Sequence, residues 1–359
     1  MSYERIGNKS IMRILVVGRD NYYIYQRALY DAFNSLPDVS ADIFSTKIYY
    51  SYRSEIEHFF VRIQDHLNLG PIIRRLNKDL YELLQQKRYD VVFIYGCCEI
   101  YPVTVRKIKK MGMKVFSYQN DDIFSDYYPW YYWRYAKKIC AYVDINYVYR
   151  KKNITDLSRM NIRNAKLFRS YYISKNNYIC EKYELLSDTP EVICLAHYEN
   201  DCRIEYLEEL CKNQIQVGVP AGLAEHLDAK YSDYVKVIQN TMAPDYNRLL
   251  SSCKIPIIFL STLNHDTYTR RCFEIPAAGA IIFCQYTYDM NSLFEEDKEA
   301  VYFRDKKEFI EKIKYFLEHD QERKNIARAG TDKLMSTGHE VRDRAQAVYE
   351  DYVELSRRI

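Results

Sequence analysis

Short apolar runs rich in β-branched and aromatic residues alternate with helical segments along nearly the whole chain. This alternation is typical of parallel sheets that helices cover on both faces. Two series of six runs occur, and a polar, less regular stretch separates them. The predicted strands of the first series are 12–17, 42–46, 90–95, 113–117, 144–149 and 165–169, and those of the second are 191–195, 215–219, 234–238, 255–260, 280–284 and 300–303.

The polar stretch sets the predicted domain boundaries. We expect a first Rossmann-like domain at residues 1–173, a linker at 174–190, a second Rossmann-like domain at 191–340 and a C-terminal helix at 341–359. A length of 359 residues suits two such domains. Ligands of doubly wound sheets bind at the carboxyl ends of the strands, so we expect a ligand in a cleft where the two domains face each other.

Composition narrows the classes of function. The 52 Lys and Arg residues nearly balance the 49 Asp and Glu residues and are spread along the chain, whereas nucleic-acid binders concentrate basic residues on one surface. The ten cysteines lie largely in apolar runs without metal-ligand spacing, and we expect them to be reduced. With a polar N-terminus and no apolar run long enough to span a bilayer, the sequence favours a cytoplasmic protein.

The segment 264–280 carries the strongest functional signal. It follows the predicted strand 255–260, so its loop lies at a carboxyl end, and a helix is expected to begin near residues 267–269. The free N–H groups of a helix start bind a diphosphate readily. Arg271 lies in the first turn, where a cation is unfavourable to the helix dipole unless an anion is bound. The alternative is an amphipathic helix with ordinary surface arginines.

The same segment resembles the signature of the CgeB-like (spore maturation protein) glycosyltransferases, relatives of the retaining group-1 glycosyltransferases. Their pattern is close to N-x-D-T-x-T-x-R-x-FEIPA-x-G. The matching residues are Asn264, Asp266, Thr267, Thr269, Arg271, Phe273, Glu274, Ile275, Pro276, Ala277 and Gly279. The resemblance extends to segments 120–125, 197–203, 291–303 and 322–330, and so covers nearly the whole chain.

The resemblance implies a GT-B type α/β fold, in which two Rossmann-like domains face each other across a cleft and a C-terminal helix crosses back. It also implies transfer of a sugar from a nucleotide-sugar to an acceptor, with retention and without a metal or other cofactor. Glu274 matches the glutamate that binds the nucleotide ribose, and Asp266 stands where the family's relatives have a glutamate that contacts the donor sugar. The residues expected to bind the donor are Arg203, Asn264, Asp266, Thr267, Thr269, Arg271, Glu274 and Gly279.

Candidate catalytic residues follow strands in both halves. Asp121 and Asp122 follow the strand 113–117, and an acceptor-side role as a proton acceptor competes there with helix capping. His197 is expected to touch the donor or, alternatively, to be packed and hydrogen-bonded. We expect Arg19 and Asn21, which follow the first strand, to lie on the acceptor side.

Several alternatives stay open at this point. Arg203 is either a diphosphate ligand or the ion-pair partner of a nearby glutamate. The aromatic, basic stretch 127–138 is either an ordinary packed helix or a peripheral contact with the inner face of a membrane. The acceptor is a glycan, a protein or a small molecule. Two other functions fit the same sequence: a nucleotide-sugar 2-epimerase, and a sugar- or nucleotide-binding protein without turnover.

Overall fold

The computed structural model describes residues 11–96, 98–239 and 241–357. The chain divides into two compact units, the first comprising residues 1–169 and 341–359 and the second residues 170–340. Each unit contains one six-stranded sheet, and every strand pairing within them is parallel. The predicted α/β class with two Rossmann-like domains is therefore confirmed.

The first unit is built on a sheet with the strand order β2-β1-β3-β4-β5-β6. Its inner strands Met12–Gly18 and Val91–Tyr95 are nearly continuous apolar runs, as expected where helices cover both faces. The strands are β1 (Met12–Gly18), β2 (Val39–Ser45), β3 (Val91–Tyr95), β4 (Lys114–Gln119), β5 (Ile145–Val148) and β6 (Ala165–Leu167). Its helices are α1 (Ala28–Asn34), α2 (Glu55–Leu67), α3 (Pro71–Gln86), α4 (Pro102–Lys110), α5 (Arg134–Ile139) and α6 (Lys151–Arg159). A π-helical turn, Tyr23–Arg27, precedes α1.

The second unit has the strand order β12-β11-β10-β7-β8-β9. Counted within the unit, this is the doubly wound order in which the direction of winding reverses between the first and fourth strands. The strands are β7 (Val192–Ile193), β8 (Val217–Pro220), β9 (Val235–Ile238), β10 (Ile255–Ile258), β11 (Phe283–Gln285) and β12 (Val301–Phe303). The helices are α7 (Arg203–Lys212), α8 (Ala221–Ala224), α9 (Asp245–Ser252), α10 (Arg271–Ala277), α11 (Tyr288–Leu293), α12 (Lys306–Glu318) and α13 (Asp320–Ser336).

The segment 174–190, for which we predicted a linker, lies inside the second unit. Its backbone is tied to α9: the Asn247 side chain accepts a hydrogen bond from the Tyr178 N–H (3.2 Å) and donates one to the Tyr178 carbonyl (2.8 Å). The Leu186 N–H donates to the Ser252 hydroxyl over 2.8 Å. These contacts make the segment a covering layer of the second unit.

The last helix, α14 (Val341–Arg357), belongs to the first unit and packs against α1. Asp351 on α14 accepts hydrogen bonds from the Tyr147 hydroxyl (2.6 Å) and the Lys166 ammonium (2.5 Å). The Arg344 Nε donates to the Arg169 carbonyl over 2.9 Å. The chain thus returns to its first unit after completing the second. Within residues 11–96, 98–239 and 241–357, no helix has the length and apolarity that crossing a bilayer requires.

Candidate functional site

The switch point of the second sheet lies between β7 and β10, which are adjacent strands. In doubly wound sheets this is where the loops on either side diverge and leave a crevice for a ligand. The loop after β7 contains His197, and the loop after β10 leads into α10. The Ser261 hydroxyl donates a hydrogen bond to the Glu199 carboxylate over 2.9 Å and links the two loops.

The loop after β10 is folded by its own backbone. The Asp266 N–H donates to the Ser261 carbonyl (2.9 Å), and the Asn264 N–H donates to the Ser261 hydroxyl (3.3 Å). Between them, His265 adopts a left-handed conformation with φ of 52°. This turn places Asn264 and Asp266, both partly exposed, side by side at the carboxyl edge of the sheet.

The two threonines predicted to bind the donor hold the entry to α10. The Thr267 hydroxyl donates to the Asp289 carboxylate (2.8 Å), and its carbonyl accepts from the Thr287 hydroxyl (2.6 Å). Thr269 is buried, and its hydroxyl accepts a long hydrogen bond from the Arg271 N–H (3.4 Å). Both side chains therefore stabilise the loop and the first turn of the helix.

Glu274 is buried on α10 and has two donors. The Arg270 Nε donates to one carboxylate oxygen over 2.5 Å, and the Tyr246 hydroxyl donates to the other over 3.0 Å. Burial, followed by the charge of Glu274, raises the pKa of Tyr246 well above its ordinary value, which keeps the hydroxyl a donor. The Arg270 guanidinium also lies 4.7 Å from the centre of the Tyr171 ring. Each carboxylate oxygen retains acceptor capacity for another donor.

Arg271 differs from its neighbour because its guanidinium has no partner in the part of the chain that the structure describes. Its Nε is buried and makes no hydrogen bond. The positive charge of Arg271 also affects His197. The pKa of the His197 imidazole is lowered below its ordinary value, mainly by burial and then by the charges of Arg271 and Arg203. A buried donor without an acceptor is costly, so this group is poised for an anion.

Arg203 is instead held by carboxylates of its own loop, chiefly Asp201 and also the nearby Glu199. It is buried, and its Nε and one Nη donate to the two oxygens of Asp201 over 2.8 and 2.7 Å. The remaining contacts are with Glu199 (3.2 Å) and the carbonyl of His197. Three of the five guanidinium N–H groups thus donate hydrogen bonds, and Glu199 adds an ion pair. Arg203 shapes the loop after β7 and has little capacity left for a diphosphate.

Gly279 ends α10 with a φ of 78°. Its N–H donates to the Pro276 carbonyl over 3.0 Å. A Cβ at this position would lie 3.1 Å from the Cγ1 of Ile179, in a conformation that L-residues rarely adopt. Its contribution is to terminate the helix, as a glycine just beyond a helix end commonly does.

In the first unit, Arg19 is held by carboxylates. Its guanidinium contacts Asp65 on α2 (3.2 Å from Nη1) and Glu99 (3.4 Å from Nε), and it stacks 4.2 Å from the Tyr50 ring centre. These partners occupy the side chain and connect the β1 loop to α2. Asn21, two residues further along, is exposed.

The neighbouring aspartates Asp121 and Asp122 have different surroundings. Asp122 is fully buried and accepts hydrogen bonds from the Phe124 N–H (3.0 Å), Lys152 (3.0 Å) and Asn153 (2.7 Å). Burial alone would raise the pKa of Asp122, but these donors outweigh it and hold the pKa below its ordinary value. The contact with Phe124 closes a turn at residues 122–125, where no helix begins, so it is not the helix cap weighed for this position.

Asp121 lines a narrow cavity with a free volume of about 10 Å³ together with Gln119, whose buried side-chain amide makes no hydrogen bond. Burial, opposed by Arg150, raises the pKa of Asp121 above its ordinary value. Of the pair, Asp121 therefore binds a proton more readily than Asp122 does. Among the residues that the structure describes, no cluster of three or more His, Cys, Asp or Glu side chains forms a metal site.

Residues 204–350 match the model of a family described as glycosyl transferase-like. This range contains Asn264 to Gly279 and Tyr246 but neither His197 nor Arg203. The CgeB-like resemblance is more specific than this match and stays a prediction. No curated protein matches the chain significantly in sequence.

Solved structures match both units. Sucrose-phosphate synthase from Thermosynechococcus elongatus has a TM-score of 0.71 at 11% identity, over 97% of this chain and 100% of that one. HepE from Anabaena, in complex with UDP and glucose, has a TM-score of 0.68 at 10% identity, over 96% and 100%. A UDP-N-acetylglucosamine 2-epimerase has a TM-score of 0.54 at 12% identity, over 89% and 91%. At these identities the likeness shows the GT-B fold.

Sequence reasoning missed two residues that define the site. Tyr246 lies 28 positions before Glu274, on another helix, and no local pattern connects them. Asp201 stands two positions before Arg203, and this short spacing was a usable signal for the pair. In both cases the missed residue is the partner of a predicted one.

Proposed function

We propose that the protein is a glycosyltransferase whose second unit binds a nucleotide-sugar at the switch point between β7 and β10. The observation that carries the proposal is the unpartnered Arg271 guanidinium at the start of α10. The match of residues 204–350 to a glycosyl transferase-like family supports it. A diphosphate provides the negative charge that this guanidinium lacks among the described residues.

In this proposal the donor contacts are divided among residues of the two loops and α10. Arg271 binds the diphosphate, and Glu274, oriented by Arg270 and Tyr246, accepts hydrogen bonds from the ribose hydroxyls. Asn264 and Asp266 contact the sugar from the turn after β10. Thr267, Thr269 and Gly279 preserve the shape of that turn and helix.

His197 and Arg203 have separate roles in the loop after β7. Because the lowered pKa of His197 keeps the imidazole uncharged at neutral pH, it offers the donor one N–H hydrogen bond and no charge. Arg203 is a positioning residue, since its partners Asp201 and Glu199 belong to the same loop.

The chemistry follows from the charge that develops on the leaving group. Cleavage of the bond between the sugar and the diphosphate leaves negative charge on the nucleoside diphosphate, and a fixed cation there stabilises the transition state. We assign this charge stabilisation to Arg271, without a metal ion. Transfer with retention, which rests on the resemblance, is tested by NMR of the first-formed product anomer, and inversion would refute it.

We place the acceptor with the first unit and assign Asp121 as the group that receives the proton of the acceptor hydroxyl. Its raised pKa brings the carboxylate closer to the proton affinity that such a base needs. Asp122, Arg19 and their partners maintain the surrounding structure. An exposed Asn21 remains available for the acceptor.

A thermal-shift screen against nucleotide-sugars tests the proposal. A ligand at about one hundred times its Kd raises the apparent free energy of unfolding by about 2.7 kcal/mol, a shift that is readily measured. We expect a nucleotide-sugar, and its nucleoside diphosphate, to stabilise the protein. If no compound of either class does so, the proposal fails.

An epimerase is the second candidate, because a UDP-N-acetylglucosamine 2-epimerase shares the fold. The two functions differ in what happens to the donor alone. An epimerase converts it to a second nucleotide-sugar, whereas a glycosyltransferase slowly releases nucleoside diphosphate by hydrolysis. NMR of the donor incubated with the protein separates these outcomes, and an inert donor would indicate a binding protein without turnover.

A further inference from the structure

Helix α2 presents its apolar side to solvent. Its large apolar residues recur at i, i+3, i+4, i+7 and i+11, which places them on one face of a helix. They are Ile56, Phe59, Phe60, Ile63 and Leu67, and all of them are exposed. Ile56 and Phe59 are 71% and 61% exposed, and no residue of this 13-residue helix is buried. An amphipathic helix packed on a core has the opposite orientation.

The polar residues of α2 fix this orientation. Asp65 pairs with Arg19 of the β1 loop. The Gln64 side chain accepts a hydrogen bond from the Ile72 N–H over 2.9 Å, and the Asn68 side chain donates to the Tyr132 carbonyl over 3.2 Å. The apolar stripe is therefore held outward by specific contacts.

An aromatic segment, residues 127–133, continues the apolar surface. It adjoins the end of α2, where the Tyr131 hydroxyl lies 2.7 Å from the His66 Nε2 and the Arg134 side chain donates to the Leu67 carbonyl over 2.5 Å. Trp130 is 80% exposed, and Tyr127 is exposed as well. Tryptophan and tyrosine are the residues enriched where proteins meet the boundary between lipid headgroups and water.

Cations accompany the stripe. Lys47, Arg53 and Arg62 are exposed, and their side chains form no ion pair with any residue in the described ranges. Of the acidic residues of α2, Asp65 pairs with Arg19 and Glu55 lies 3.7 Å from His58, while Glu57 is exposed. The three cations therefore outnumber the two exposed glutamates, and an apolar helix face with such an excess of cations beside it is the arrangement of helices that lie in the interface of anionic membranes.

We propose that α2 and residues 127–133 dock the protein on an anionic lipid leaflet. The stripe of α2 enters the boundary between headgroups and acyl chains, Trp130 and Tyr127 anchor its edge, and the three cations contact anionic headgroups. A lipid surface fits the projecting apolar stripe of α2 better than a protein partner does, because a lipid surface does not need a groove complementary to the stripe. The surface adjoins the carboxyl end of β1 through the contact between Arg19 and Asp65, so docking places a membrane beside that edge.

Vesicle flotation of the full chain tests this proposal. We expect the protein to float with vesicles of phosphatidylcholine containing about one third phosphatidylglycerol, and less with phosphatidylcholine alone. In the double variant Phe59→Ser/Phe60→Ser, we expect partitioning to fall by at least about tenfold, given the apolar area lost. Tyr288→Ser is the matched control, because that ring is 86% exposed on the second unit and its loss leaves flotation unchanged.

Three results would overturn the proposal. In the first, the wild-type protein binds neither kind of vesicle. In the second, the double variant floats as well as the wild type does. In the third, the wild type dimerises without lipid and the double variant is monomeric in analytical ultracentrifugation, which would assign the face to a second copy. Circular dichroism confirms that each variant is folded, as expected for substitutions at exposed positions.

Discussion

Replacing Arg271 by glutamine should separate the effect on donor binding from the effect on folding. The guanidinium has no partner in the described chain, and its buried Nε makes no hydrogen bond. Its removal therefore takes no ion pair from the folded protein and relieves the cost of an unsatisfied donor, which is about 1–3 kcal/mol. We expect the free energy of unfolding without ligand to stay the same or to rise.

Donor binding should change in the opposite direction. A hydrogen bond to a charged group contributes about 1.5–3 kcal/mol, so its loss weakens the Kd of the nucleotide-sugar roughly ten- to hundredfold. Isothermal calorimetry measures this with the donor found in the thermal-shift screen. The interaction is electrostatic, and rising salt should narrow the difference between the wild type and the variant.

Arg328→Gln is the control, because Arg328 is an exposed arginine on α13 of the same unit. Its Kd for the donor should equal that of the wild type. A change of less than about twofold in Arg271→Gln would refute a diphosphate contact at this residue. A drop in its ligand-free stability would show instead that Arg271 has a structural role.

Three further predictions concern the fold and its titrating groups. Gly279→Ala should lower the free energy of unfolding by about 1–2 kcal/mol in urea denaturation because of the positive φ, whereas Gly222→Ala, with open space around the new Cβ, should not. The pKa of Asp122 is lowered in the folded state, so the ionised carboxylate stabilises the fold above the ordinary pKa of 3.8, and this contribution is lost as the pH falls through the folded pKa. The difference in the free energy of unfolding between the wild type and Asp122→Asn should therefore become smaller in acid. NMR titration should give His197 a pKa below 6.5 that rises in Arg271→Gln, and an unchanged pKa would place the two groups apart.

The order of the elements was predictable because it rests on local patterns. All twelve predicted strands correspond to observed ones. Most are short apolar runs that a parallel sheet buries on both faces, whereas the edge strands β2, β6 and β9 are only partly buried. The glycine at the end of α10 was predictable for a similar reason, because a glycine just beyond the last helical residues commonly has a positive φ, as Gly279 does.

The partners of the site residues were not predictable to the same extent. The contact between Glu274 and Tyr246 spans two helices, and the one between Arg19 and Asp65 spans 46 positions. The direction in which α2 faces depends on this second contact, because the period of a helix shows that it has an apolar face but not where that face points. Which side chains pair, and which face of a helix is buried, depends on residues that are distant in the sequence. A local sequence pattern does not reveal those contacts.

The return of α14 to the first unit has a consequence for how the protein is made. The ribosome completes the second unit before it synthesises residues 341–357, which pack against α1 and hold the Tyr147 hydroxyl through Asp351. During translation the second unit can fold while the first still exposes the surface that α14 will cover. A chain that stops before α14 should therefore contain a stable second unit and a first unit that is vulnerable to proteases and chaperones.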